Sequence, residues 1–322
     1  MRETRFIEKH QPRWDQLEHY LNGGEIPADF DFARQYRQVV HDLAMAHSRG
    51  YARPVIDRLT RLVMRGRQKL YHRPAHLGRH ILAFFTVGFP VLVRKHIDVV
   101  LLSAVLLFGS LALVAITTHW APDLPYSVVD TAKMSEIEEM YSPTQTYRLG
   151  RQRAAEDDIL MFGFYIRNNI GIGFRTFASG LAFGLGSLFF LLFNGITIGA
   201  ISGHLTEIGY IGTFWGFVAG HSAMELTAVT LSGAAGLHMG RALIQPGRKS
   251  RLHALKDNAR DAIGIVYGAA TMFVIAAFIE AFWSSRASLP FALKIAVGLT
   301  LWGLVILYFA RQGREPRVTH AD

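Results

Sequence analysis

The sequence predicts an all-α, polytopic α-helical membrane protein with an N-terminal amphipathic helical module, and three observations carry that prediction. Half of the 322 residues are hydrophobic, and beyond about Ile97 they fall in runs too long for ordinary core helices. Ahead of that point, apolar residues recur at helical spacing among many charges. Sixteen of the 30 glycines lie between Gly163 and Gly240, inside the apolar region, a density that suits tight helix packing in a bilayer. The predicted organisation is a basic cytoplasmic or interfacial module over 1–96, a transmembrane bundle over 97–310 and a cytoplasmic tail over 311–322.

The first predicted helix covers residues 4–21, with Phe6, Ile7, Trp14, Leu17 and Leu21 on its apolar side and Gly23-Gly24 as its stop. A second, from about Asp31 to Ser48, presents Phe32, Tyr36, Val39, Val40, Leu43 and Ala46; a third, after Pro54, presents Ile56, Leu59, Leu62, Val63 and Leu70. Such amphipathic helices pack on one another or on a membrane. Residues 1–96 hold 17 Lys/Arg against 9 Asp/Glu, and no nucleic-acid recognition motif accompanies the excess. A basic surface beside a span reads instead as retained on the inside and facing anionic membrane lipids, and nucleic acid is not an expected partner. The charged start, MRETRFIEKHQPRW, has no apolar stretch after it, so no cleavable signal peptide is expected. Without cysteine, disulfides, thiolate metal sites and thiol nucleophiles are excluded.

Residues 77–95 are apolar but interrupted by Gly88 and Pro90 and closed by Arg94-Lys95, which predicts an interfacial elbow. The first span is Ile97 to Thr118. The loop from His119 to Asp158 carries 8 Asp/Glu against 4 Lys/Arg and reads as the outside; Val129 to Tyr141 is a short helix within it, with Glu136, Glu138 and Glu139 as an exposed acidic face. Three apolar segments follow, beginning at Ile159, Leu181 and Tyr210. Residues 241–260 then hold 6 Lys/Arg and one acid, an inside signal, before spans at Ala262–Phe282 and Phe291–Phe309. Charge parity favours six spans with both termini inside. Five spans result if the segment after Ile159 lies in the interface, as its Arg and Asn residues allow. Arg94, Lys95, Arg248, Lys249 and Arg251 are the candidate lipid-headgroup contacts.

The stretch from Tyr210 to Leu243 organises the rest, because His221 and Glu225 sit four apart on one helical face inside an otherwise membrane-compatible helix. A mutual hydrogen bond is the plainer reading of that pair, a proton relay or polar pocket the sharper one. Two ligands do not make a metal site, H-E-x-x-H is absent, and no metal or cofactor is assigned. Asn168, Asn169, Asn194 and Arg175 complete the candidate polar intramembrane cluster, while Glu280 reads as interfacial at the outer end of its span. Gly212, Gly216, Gly220, Gly233 and Gly236 are the candidate helix-packing positions, the last two also as break points in an over-long helix. No phosphate loop, nucleophile elbow or catalytic carboxylate pair is present, so no catalytic residue is named.

RNNIGIGF (167–174), FNGITIG (193–199), HSAMELTAV (221–229), SGAAGL (232–237), and the later PGR and IEAF resemble the stage II sporulation protein M family of integral membrane proteins. FIEKHQPRWDQLE and HDLAMAHSRGYARP resemble its longer, non-sporulating bacterial members. The resemblance implies a multi-pass protein of the bacterial inner membrane with a cytoplasmic N-terminus. Spore-forming relatives act as membrane scaffolds for peptidoglycan hydrolases, and the longer members occur near ATPase and von Willebrand-type genes, so cell-envelope or ATPase-type partners are implied. The long basic module departs from the short sporulation proteins. The function expected is a non-enzymatic scaffold, homodimeric through glycine-faced helices, that organises partners or curves the bilayer. The alternative is a transporter or channel using His221, Glu225 and the Asn pairs, with an intramembrane hydrolase third.

Overall fold

The structure, a computed structural model, describes residues 3–24, 30–71, 77–144 and 155–314. Much of the tail over 311–322 and residues 145–154 of the predicted outside loop lie outside the described residues. The chain divides into two compact units, Met1–Arg79 and His80–Asp322, so the boundary falls well before residue 96. The shift has a simple cause. In the segment after residue 80, Phe89 and Val93 are buried in the core of the second unit, not in that of the first.

The first unit is three helices: α1 (Glu3–Leu21), α2 (Phe32–Ser48) and α3 (Arg53–Tyr71). Asp31 caps α2 by accepting from the Arg34 amide at 3.0 Å. Gly23 and Gly50, both at positive φ, let the chain leave α1 and α2. The apolar faces converge in a private core of Phe6, Trp14, Leu17, Val39, Ala46, Leu59 and Leu62. Burial of each large side chain there contributes roughly 1.5–3 kcal/mol. Those faces are the ones a membrane wedge would need, and they are already spent on one another. One acid is buried with them. Asp42 accepts from Trp14 Nε1 at 2.9 Å and lies 3.4 Å from Arg13 and from His10. Burial holds the His10 imidazole below the usual histidine range, against the pull of Asp42.

The second unit is an all-α bundle, with no strand among the described residues. Helices α4 (Leu77–Ala83) and α5 (Phe89–Lys95), joined by a π turn at Phe84–Gly88, lead into α6 (Ile97–Ala104). A second π turn, Val105–Gly109, joins α6 to α7 (Ser110–Thr118); α8 (Leu124–Val128) and α9 (Thr131–Tyr141) follow. The remaining helices are α10 (Ala155–Ala178), α11 (Leu185–Glu207), α12 (Ile211–Ile244), α13 (Arg251–Ile279) with a π turn at Glu280–Ser284, and α14 (Phe291–Arg311). Four stretches are long and apolar enough to cross a membrane: Ile97–Thr118, Leu185–Glu207, Arg251–Ser284 and Phe291–Arg311. The protein is thus an all-α, polytopic membrane protein.

Close approaches give the relative directions of the helices. Gly195, Gly199 and Gly203 of α11 lie on the Leu107, Leu111 and Ala115 carbonyls of the α6–α7 rod, so the two run parallel. Gly184, Ser187 and Leu191 meet Gly240, Gly236 and Gly233, which sets α11 antiparallel to α12. Gly173 and Gly180 place α10 beside Ser232 and Gly236, parallel to α12. Helix α12 is the hub, packed by α6, α10, α11, α13 and α14. That wrapping lets it keep polar residues that a lipid-facing helix would lose.

Two expectations about glycine are corrected. Helix α12 runs unbroken through Gly233 and Gly236, because in a packed, water-poor interior no solvent replaces a broken helical hydrogen bond. Those positions admit neighbours instead: Leu191 lies on Gly233, and Ser187 with the Thr176 and Phe177 carbonyls lies on Gly236. Gly212 has open space where a Cβ would be, so of the Gly212, Gly216 and Gly220 row only the last two pack, against Phe291 and Trp283. The GxxxGxxxG row that receives backbone is the one on α11.

Two outcomes test this packing. Gly236→Val should abolish a monodisperse peak in detergent size exclusion, while Gly212→Val shifts stability by no more than about 0.5 kcal/mol. Asp42→Ala, which strands the buried Trp14 N–H, should cost about 1–3 kcal/mol and speed hydrogen exchange across α1–α3 roughly tenfold to a hundredfold, with the bundle unchanged.

Candidate functional site

The polar centre of the bundle forms where α12, α10 and the π turn after α13 meet. His221 and Glu225 share one face of α12, with His221 Nε2 3.8 Å from Glu225 Oε2. That is an ion-pair distance and too long for the mutual hydrogen bond expected from the spacing. His221 Nδ1 is instead 3.1 Å from Ser284 Oγ. The π turn matters here. Glu280 and Ser284, four residues apart, lie on one side of it, and both are buried. One ligating atom each of His221, Glu225 and Glu280 lies within 4.8 Å of the others.

Asn169 of α10 faces Glu280 and is itself buried. Its Oδ1 accepts from Asn168 Nδ2 at 3.0 Å. Its Nδ2, like Glu280 Oε2, has no hydrogen-bond partner among the described residues. The cluster lies beneath a cleft of about 320 Å³ lined by Tyr210, Thr213, Phe217, Ser284, Phe291 and Lys294. Phe217 and Ser284 are both floor and contact, since the Phe217 ring packs on His221 with centroids 5.3 Å apart. Lys294 Nζ donates to the Ser284 carbonyl at 2.8 Å. Tyr141, at the end of α9, packs edge-on to Phe214 and Phe217, and Thr213 Oγ1 donates to its carbonyl at 2.6 Å. Burial first, then the Glu280 carboxylate, pushes the Tyr141 phenol up.

The structure therefore unites His221, Glu225 and Asn169, adds Glu280 and Ser284, and leaves three predicted members elsewhere. Asn194 donates to the Phe190 carbonyl of its own helix at 2.6 Å. Asn168 reaches the cluster only through Asn169, and Arg175 lies on the outward face of α10. Glu280 was legible as an acid within an apolar run, IEAF, but its position said depth and not neighbour. Ser284, His221 and Glu225 have the residue types of a nucleophilic triad, yet the 3.8 Å gap to Glu225 leaves no hydrogen-bonded relay.

Two further histidine–carboxylate centres flank this one. Toward α8 and α9, buried His204 bonds Glu138 at 2.6 Å, and Tyr126 OH donates to the same carboxylate at 3.2 Å. Glu138 thus ties α9 to α11 and is no part of an exposed acidic face. At the opposite end, His96 Nε2 and Lys95 Nζ lie 2.9 and 2.6 Å from Asp261 Oδ2, and the His238 ring packs on His96 with centroids 4.0 Å apart. A cleft of about 530 Å³ beside it is lined by Arg241, Arg248 and Lys249 among others. Of the predicted headgroup contacts, Lys95 and Lys249 pair with Asp261 and Asp257, Arg94 donates to the Phe309 carbonyl, and Arg248 and Arg251 are exposed.

Comparison with known families divides the chain much as the structure does. A family described as Stage II sporulation protein M matches residues 99–285, more than half of the chain. One described as a domain of unknown function, DUF8413, matches residues 4–72. No curated protein and no solved structure matches significantly.

Placement predicts unequal tolerance among the amides. Asn194→Leu should leave the melting temperature in detergent within the effect of about 0.5 kcal/mol. Asn169→Leu, which removes the buried amide facing Glu280, should lower it by the equivalent of about 1–3 kcal/mol.

Proposed function

Taking as premise that the chain belongs to the stage II sporulation protein M family, we propose that it is a non-enzymatic, homodimeric scaffold of the bacterial inner membrane. It makes six crossings, places its basic first unit and its C-terminus in the cytoplasm, and organises cell-envelope or ATPase-type partners. The observation that carries the reading is the outward face of α10. Arg167, Asn168, Gly171 and Arg175 form one exposed stripe, flanked by Phe164 and Phe174 along a groove of about 480 Å³.

Helix α10 packs along α12 and α13, so this stripe lies at the depth of apolar passes. Lipid penalises two guanidinium groups and an amide there, and a protein surface relieves the penalty. A second copy is the simplest such surface. Gly163 and Gly171 leave open space on the same helix, and an amide near a two-fold axis pairs with its own copy. Scaffolding through protein contacts is better supported than curvature by a helical wedge, since the apolar faces of α1–α3 are buried in their own core. The transporter reading has less support: its polar residues divide between the buried centre, the self-bonded Asn194 and the outward stripe, and form no connected path among the described residues.

Subunit counting by photobleaching in lipid nanodiscs tests the dimer. Wild type should give two copies per disc, and Asn168→Leu with Gly171→Leu should give monomers, each lost polar contact being worth about 1–2 kcal/mol. Monomers in the wild type at high protein-to-lipid ratio overturn the reading.

A further inference from the structure

We propose that His221, Glu225 and Glu280 form a binding site for one divalent transition-metal cation, a property that goes beyond the scaffold reading. The geometry brings two carboxylates and one imidazole to a common point. His221 Nδ1 lies 3.1 Å from Ser284 Oγ, and in the tautomer in which Nδ1 donates to that hydroxyl the Nε2 lone pair faces Glu225. Carboxylate oxygens of Glu225 and Glu280 converge on the same point, all three ligating atoms lying within 4.8 Å of one another. Ligands about 2.1 Å from a tetrahedral ion sit roughly 3.4 Å apart, so side-chain rotations of an ångström or so close the set.

A second observation is independent of the spacing. Glu280 is 8% exposed and Asn169 2% exposed; the Asn169 amide faces Glu280, yet neither its Nδ2 nor Glu280 Oε2 meets full hydrogen-bond geometry with any group among the described residues. A carboxylate oxygen left bare in a protein interior is costly, and two carboxylates side by side are costlier. One divalent ion beside two carboxylates and a neutral imidazole makes the site electrically neutral, which suits a low-dielectric bundle. An imidazole with two carboxylates is a donor set for Zn²⁺ or Mn²⁺ more than for Ca²⁺ or Mg²⁺, which prefer all-oxygen shells. Ser284 on Nδ1 and the Asn169 amide beside Glu280 stand where outer partners orient metal ligands. The cleft lined by Phe217 and Ser284 adjoins His221, and the Glu225 side chain retains 23% exposure.

The rival cluster, His96, His238 and Asp261, is a weaker candidate because Lys95 and His96 already occupy the Asp261 oxygen. It makes a useful control. The test uses full-length protein in nanodiscs, stripped with chelator, loaded with Zn²⁺ or Mn²⁺ alone, desalted and assayed by elemental analysis. About one ion per chain in the wild type, retained in Asp261→Asn and bound at least tenfold more weakly in Glu225→Gln with Glu280→Gln, supports the site. No bound ion in the wild type, or an ion kept by the double variant and lost by Asp261→Asn, overturns it. X-ray absorption on the loaded wild type decides the matter even if the variants fail to fold: one imidazole in the metal shell agrees with this site, and two place the ion at His96 and His238.

Discussion

Everything in the bundle depends on keeping lipid away from α12. Its 34 residues carry two histidines and a glutamate, which hydrocarbon punishes, so the helix persists only inside a sleeve of other helices. Glycine makes the sleeve tight, and each neighbour uses it differently. Trp283 packs on Gly220, the α10 and α11 ends meet on Gly236, and the backbone at Gly184 abuts Gly240. A Cβ at any of these would force the backbones apart. Gly184 has a second duty, because its φ of 80° turns the chain into α11 without strain. Division of labour follows. The most apolar stretch, Ile97–Thr118, and Phe291–Arg311 bury only 22% and 17% of their spanning windows, while the polar helix they help enclose is mostly buried.

Elements were more legible in the sequence than neighbours. Helical periodicity with Gly23, Asp31 and Ser48 placed α1 and α2 almost to the residue, since capping chemistry is local. The shift from charged to apolar composition marked two modules but put the boundary late, because Phe89 and Val93 look the same whether they face a membrane or a bundle. Glycine rows show the same limit. Gly212, Gly216 and Gly220 have the spacing of Gly195, Gly199 and Gly203, yet only the second row meets carbonyls at every position. Spacing names a face and leaves its partner open. The π turn at Glu280–Ser284 was invisible, as nothing in EAFWS distinguishes it from an α-helical turn.

The first unit shows how a polar residue earns a core position. Asp42 is buried, but it accepts from Trp14 and has Arg13 beside it, so its charge is compensated and ties α1 to α2. The same compensation operates at two of the three histidine–carboxylate centres in the bundle. Glu138 receives His204 and the Tyr126 hydroxyl; Asp261 receives Lys95 and His96. Both centres link passes far apart in sequence and can be understood as fastenings.

The middle centre differs in kind. His221, Glu225 and Glu280 converge, and the Asn169 amide that faces Glu280 leaves Nδ2 and Oε2 short of full hydrogen-bond geometry. Packing does not require this. Buried ionic groups are often replaced by apolar side chains of similar volume at no loss of stability, and this bundle already closes through glycine contacts above and below the centre. A fastening would have been built like the other two, with a lysine or a hydroxyl supplied to each carboxylate. What distinguishes this centre is that the partner proposed for it is positive and small, and that the Phe217–Ser284 cleft adjoins it. Those are the attributes of a ligand, and they separate the site from the structure that holds it.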